Sequence, residues 1–291
     1  MIPSAYIQSW SESAPWPDPR QVEQDLIISR ALCDLFNSLA LKGKIAFRGG
    51  TAINKLIFER PLRYSEDIDL VQTQPEPIGT IVDAVRDALS WLGKCRRDQA
   101  GHSMHMVFKF APEADVQTTL KLKVEVNTRE HECALVLARY PFTVENDWYR
   151  GQADITSFTP EEMFGTKLRA LLQRNKNRDL FDLHQGLEQI SMDLDKLIAC
   201  FNHYLSAEGV AITRAVAERR MLEKLTRSLT EDIAPLLPAG VNFSDADALH
   251  AFERVWTDLI TRIKGEPWKL TDKALDEVRS RKHPRLLLRS K

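Results

Sequence analysis

Apolar residues recur at helical spacing from Val22 to Leu41, where Val22, Leu26, Ile28, Leu32, Leu35, Phe36 and Leu39 form one stripe. That spacing predicts an amphipathic helix, and Gly43 is a plausible stop signal after it. The preceding residues 3–19 hold four prolines and read as an irregular arm. Ile45-Ala46-Phe47 predicts a short strand running into Gly49-Gly50, and Thr51 to Phe58 a helix start. A strand holding Asp67 and Asp69 follows, ended by Pro75 and Pro77, and Ile78 to Leu92 is a further helix. Three more strands are predicted, at His105 to Phe110, at Leu120 to Asn127 and near Ala134 to Leu137. In the second, Leu120, Leu122, Val124 and Val126 alternate with Lys121, Lys123, Glu125 and Asn127, a clean period of two. From Pro160 the pattern is helical to the end, interrupted by a Pro/Gly-containing linker around 235–244. The fold class is therefore α+β: strands and helices together over residues 1–157, then an all-helical C-terminal domain, 158–291.

Composition narrows this only slightly. The chain has 291 residues, enough for one large or two ordinary domains. Lys+Arg is 40 against Asp+Glu 41, a net charge of -1, so any nucleic-acid footprint must be local. Cys33, Cys95, Cys133 and Cys200 are scattered without a Cys-x-x-Cys and read as buried thiols in a reducing compartment. No segment approaches the length of a membrane span, and residues 1–20 do not read as a signal peptide. The expected location is cytoplasmic.

The candidate chemistry begins with Ser65-Glu66-Asp67-Ile68-Asp69-Leu70-Val71. Residues two apart on a strand share a face, so Asp67 and Asp69 converge while Ile68 and Leu70 serve the core. Paired carboxylates repel unless a proton or cation separates them, and hard oxygen ligands favour Mg²⁺. Upstream, Gly49-Gly50-Thr51 is a turn into a helix whose free N–H groups suit phosphate. Together the two suggest nucleotide chemistry. Glu125 is a third carboxylate, able to complete a two-metal site on a neighbouring strand or simply to belong to a wet strand face. Lys167, Arg169, Arg174, Lys176 and Arg178 are five basic residues with no acid among them, a credible phosphate-facing surface. Asp182 lies four residues beyond Arg178 and could pair with it. His102-x-x-His105 reads as incidental. Between Arg279 and Lys291 six Lys/Arg and no acid form a possible RNA-binding patch or a solvated tail.

Four segments occur in order: Phe47-Arg48-Gly49-Gly50-Thr51-Ala52, Arg63-Tyr64-Ser65-Glu66-Asp67-Ile68-Asp69-Leu70, Lys123-Val124-Glu125-Val126, and Lys167 through Arg178-Asp179-Leu180-Phe181-Asp182-Leu183. In combination, over roughly residues 22–190, they resemble the AbiEii/AbiGii-type nucleotidyltransferase toxins. That family includes the mycobacterial MenT toxins and lies within the DNA polymerase β-like superfamily. The resemblance implies a polymerase β-like core, a mixed β-sheet flanked by helices, with a helical C-terminal domain. It implies a growth-inhibiting toxin that moves a nucleotide from an NTP to an acceptor, for some members the 3′ end of tRNA, and an antitoxin encoded nearby. It implies NTP binding by Arg48, Gly49, Gly50, Thr51, Ser65 and Lys167, and metal binding by Asp67 and Asp69 with Glu125, the ion being Mg²⁺ or alternatively Mn²⁺. Catalytic roles are implied for Asp67, Asp69, Lys167, Asp179 and Asp182. Arg48 stands where a lysine is common, and the gap from Gly50 to Asp67 is long for the superfamily. A protein or small-molecule hydroxyl as acceptor, and a catalytically silent binding module, are the competing readings.

Overall fold

The computed structural model describes residues 2–113, 117–225 and 227–281. The chain divides into two compact units, 1–159 with 236–241, and 160–235 with 242–291.

The first unit contains α1 (Ser4–Trp10), α2 (Pro19–Asn37), β1 (Ile45–Arg48), α3 (Gly49–Ala52), β2 (Asp67–Gln72), α4 (Ile78–Ala88), β3 (Cys95–Ala100), β4 (Ser103–Phe110), β5 (Leu120–Asn127), β6 (Ala138–Asn146) and β7 (Tyr149–Ser157). The strands form one mixed sheet in the order β3-β4-β5-β2-β1-β7-β6. β1/β7 and β2/β5 are parallel and the remaining pairs antiparallel. Ile45, Phe47, Ile68, Leu70, Met106, Phe108, Leu122, Val124, Val126 and Ile155 build the core. α2 starts where Asp18 accepts from the Arg20 amide and Pro19 takes the first helical position.

Several expectations need correction. The 3–19 arm is not wholly irregular: Ser4–Trp10 is helical, with Ile7 and Trp10 buried three residues apart. α2 ends at Asn37, which leaves Leu39 off the apolar stripe and 86% exposed. The helix expected from Thr51 starts at Gly49 and continues past Ala52 as a π-helical turn, Ile53–Ile57. The strand expected near Ala134 to Leu137 begins at Ala138 instead, and β3 and β7 were not expected. β3 is an edge strand with five of its six residues exposed, so it carries no apolar alternation to read. Cys33 and Cys200 are buried, whereas Cys95 and Cys133 are partly exposed.

The second unit contains α5 (Pro160–Gln173), α6 (Arg178–Gln189), α7 (Leu194–Ala207), α8 (Arg214–Lys224), α9 (Asp245–Asp258) and α10 (Thr271–Arg281). Phe164, Leu168, Leu171, Leu180, Leu183, Phe201, Phe252 and Val255 fill its core. Gly165 lets α5 approach α7, since a Cβ there would lie 2.9 Å from the Leu197 carbonyl oxygen. The basic stretch from Arg279 to Lys291, read as an RNA-binding patch or a solvated tail, lies mostly at 282–291, outside the described residues.

Candidate active site

β2 sets the geometry of the first unit's polar face. Ile68 and Leu70 are buried, and Asp67 and Asp69 alternate with them. β1 lies antiparallel on one side, with Arg48 opposite Asp69. β5 lies parallel on the other, with Lys123 opposite Asp67 and Glu125 opposite Asp69. Directly opposed residues share a face, so Arg48, Asp67, Asp69, Lys123 and Glu125 stand together.

The glycine turn meets this face directly. Gly49 has φ +83°, and a Cβ on it would collide with Asp69 Oδ2. Only glycine combines that backbone with so close a carboxylate. Thr51 is buried; its hydroxyl donates to the Asp67 carbonyl at 2.5 Å and shares a hydrogen bond with Ser65 Oγ at 2.8 Å. Both hydroxyls therefore lock the turn onto the start of β2. Arg48 is ion-paired with Glu130.

The electrostatics follow from the crowding. Burial, then Glu125 and Asp67, push the Asp69 carboxyl above the usual carboxylate range. Lys123 Nζ lies 3.1 Å from Glu125 Oε2 and 3.8 Å from Asp67 Oδ2, bridging the two acids. Burial alone would lower its pKa, but those carboxylates outweigh it and raise it. Glu125 also meets His105 Nε2 at 3.3 Å. Against the pull of burial, a hydrogen bond from Ser103 and the Lys123 ammonium hold Glu125 below its ordinary value.

Sequence reasoning missed Ser103 and Glu130, set His105 aside as incidental, and gave Lys123 no role of its own. The register pairing His105 with Glu125 across β4 and β5 could have revealed the place of His105, but register is not written in either strand alone. Among the described residues, no three His, Cys, Asp or Glu side chains converge as a ready-made metal cage. Asp67 and Asp69 offer hard oxygen donors on one face, a chemistry that fits a divalent cation. Glu125 already shares a cation, Lys123, with Asp67.

The second unit brings Lys167, Asp179 and Asp182 together. Lys167 Nζ lies 3.1 Å from Asp179 Oδ1 and 2.8 Å from Asp182 Oδ2, and all three residues are buried. Arg174 grips Asp179 with two hydrogen bonds, Nε at 2.7 Å and Nη2 at 2.8 Å. Burial would raise the Asp179 pKa, but Lys167 and Arg174 prevail and hold it far below the usual range. Asp182 thus pairs with Lys167, where the sequence offered Arg178 as partner. Lys224 donates to the Arg174 carbonyl at 2.8 Å, and Arg220 to the Leu172 carbonyl at 3.0 Å, so two α8 cations cap the C-terminal end of α5.

The sequence profile of the nucleotidyl transferase AbiEii toxin family, a type IV toxin–antitoxin system, matches residues 30–277. The chain belongs to the AbiEii family. It is thus a nucleotidyltransferase of the toxin class, in a family whose enzymes draw on an NTP and a divalent metal, and a cognate antitoxin is implied. The structure is similar to MenT4, a nucleotidyltransferase toxin from Mycobacterium tuberculosis, with TM-score 0.67 and 14% identity over 100% of both chains. At that identity the likeness establishes the fold, which is the α+β class expected. JHP933 from Helicobacter pylori gives a TM-score of 0.49 and 16% identity, covering 90% of this chain and 98% of its own. No curated protein matches by sequence. Among the described residues, no helix of this AbiEii member is long and apolar enough to cross a membrane.

Proposed function

We propose that this AbiEii member transfers a nucleotide from an NTP to the 3′ end of tRNA, blocking translation, with Asp67, Asp69 and the Gly49–Thr51 turn as the reacting centre. The observation that carries the reading is the contact of Gly49 with Asp69: a turn opening a helix lies directly against an acid pair. In this reading the amides of that turn donate to phosphate oxygens, and the helix N-terminus supplies the matching partial charge. Asp67 and Asp69 hold the cation, Mg²⁺ in preference to Mn²⁺. That ion, when bound, neutralises triphosphate charge and acidifies the acceptor hydroxyl.

The chain's own residues then mostly position groups and stabilise charge. Arg48 and Lys123 place fixed cations beside the acids, and Glu125 holds Lys123. Thr51 and Ser65 keep the turn in register with β2. Lys167, Asp179 and Asp182 contribute a buried network whose ammonium is fixed by two carboxylates. We assign it to the same activity because the segment from Lys167 to Asp182 resembles the last motif of the family. The tRNA acceptor is proposed on family membership, and with it a cytoplasmic location, where tRNA and NTPs are.

The test is incubation of the purified protein with each α-labelled NTP, Mg²⁺ and total cellular RNA. Label in a tRNA-sized band, lost when the 3′ hydroxyl is oxidised, is the expected result. Label confined to protein or small molecules would reassign the acceptor.

A further inference from the structure

Arg63 is 2% exposed and heads the largest fully buried side chains of the chain. Arginine is almost never buried without a reason, because stripping water from a guanidinium is costly. Its place is behind the glycine turn. A Cβ on Gly50 would fall 2.5 Å from Arg63 Nη2 and 3.4 Å from Ser65 Oγ. Gly50 is therefore open to the guanidinium in the way Gly49 is open to Asp69. Arg63 Nη1 also donates to the Tyr64 carbonyl at 3.0 Å.

Asn54 completes the arrangement. It sits in the π-helical turn after α3 and is buried. Its Oδ1 accepts from the Leu62 amide at 2.9 Å and the Arg63 amide at 3.2 Å, and its Nδ2 donates to the Gly50 carbonyl at 3.0 Å. One amide side chain thus ties the glycine turn to the loop that leads into Asp67. Gly50 is fixed twice, by Asn54 on its carbonyl and by Arg63 against its Cα. π-helical turns of this kind often mark functional positions.

We propose that Arg63, held by Asn54, is a positioning residue for the nucleotide: its buried guanidinium braces the Gly49–Gly50 turn and lends it a permanent positive charge. The inference rests on the nucleotide-transfer reading of the turn. A guanidinium stays charged at every working pH, and a charge in a dry setting acts more strongly than one in water. A brace of this kind acts on triphosphate binding more than on the chemical step, so KM and kcat separate its effect from general damage.

The experiment measures kcat and KM for NTP, and the NTP-induced rise in melting temperature, for wild type, Arg63→Met, Arg63→Lys, Asn54→Ala, Gly50→Ala and the Gly50→Ala/Arg63→Met pair. Arg63→Met is expected to raise KM about tenfold or more with kcat changed far less, and Arg63→Lys to recover part of the loss. Asn54→Ala, which keeps the guanidinium, should raise KM in the same direction. A Cβ at Gly50 displaces Arg63, so the double variant should be little worse than Gly50→Ala alone. Should Arg63→Met not fold, the folded Asn54→Ala and Arg63→Lys decide, and unchanged KM in both overturns the brace. Equal loss of kcat in every variant with KM constant overturns it too. A wild type that shows neither transfer nor an NTP-induced shift overturns the reading of the site itself, and the brace with it.

Discussion

Asp69 sits where a carboxylate is least comfortable: half-buried, in reach of Asp67 and Glu125, with the Gly49 backbone pressed against it. Groups held in unfavourable electrostatic settings cluster at functional sites, because the strain is relieved only by the ligand. The pressure predicts opposite effects on stability and activity. Asp69→Asn removes a repelled charge, so it should melt at or above the wild-type temperature in EDTA while losing nucleotide transfer. Mg²⁺ should raise the melting temperature of wild type and not of Asp69→Asn, by mass action on the folded state. A variant that melts well below wild type in EDTA, or still responds to Mg²⁺, contradicts this account of Asp69. Thr51 and Ser65 teach a different lesson at this scale. Both hydroxyls were expected at the nucleotide, and the structure gives them a part in joining the turn to β2 as well.

At the scale of elements, what could be read from the chain was what periodicity encodes. β5 spans Leu120–Asn127 as expected, because Leu122, Val124 and Val126 on its apolar face are buried and the residues of its polar face are not. The Asp67–Asp69 pair on β2 was legible for the same reason. β3 was not, since an exposed edge strand has no face to bury, and β6 starts later than expected and carries Pro141, as edge strands can. The parallel pairing of β2 with β5, which brings Lys123 and Glu125 beside the acid pair, joins residues more than 50 positions apart and has no local signal. The α5–α6 network was half legible: the basic and acidic residues stood out, but not that Lys167 would be buried between two aspartates. α8 adds a testable consequence. Burial pushes the Lys224 ammonium down to about 8, below the 10.5 it has unfolded. Between those values the unfolded chain holds the extra proton, so this residue makes stability rise with pH, by at most about 1.4 kcal/mol per pH unit. Urea midpoints at pH 8, 9 and 10 should climb more for wild type than for Lys224→Met. Parallel curves for the two proteins would contradict it.

At the scale of the whole molecule, the first unit is not a continuous stretch of chain. Segment 236–241 belongs to it, and accordingly the Tyr64 amide donates to the Leu236 carbonyl at 2.7 Å and the Ala239 amide to the Pro15 carbonyl at 2.9 Å. The arm before α2 is tied down as well: Trp10 and Trp16 both donate to Asp25, which also pairs with Lys55 at 2.6 Å. Tyr64 precedes the acid pair by three residues, so this strand of chain supports the loop that delivers Asp67. A fragment ending at 159 lacks the partner of the Tyr64 amide. Its hydrogen exchange over 62–66 should be faster than in the full chain, and equal protection would show that segment 236–241 is dispensable to the first unit. We propose that the acid pair on β2 performs the transfer. Incorporation of α-labelled NTP by Asp67→Ala, compared with wild type at matched folded fraction, tests it most directly. Label incorporation should fall to background in the variant, with the melting transition retained; incorporation at the wild-type rate would rule Asp67 out of the chemistry.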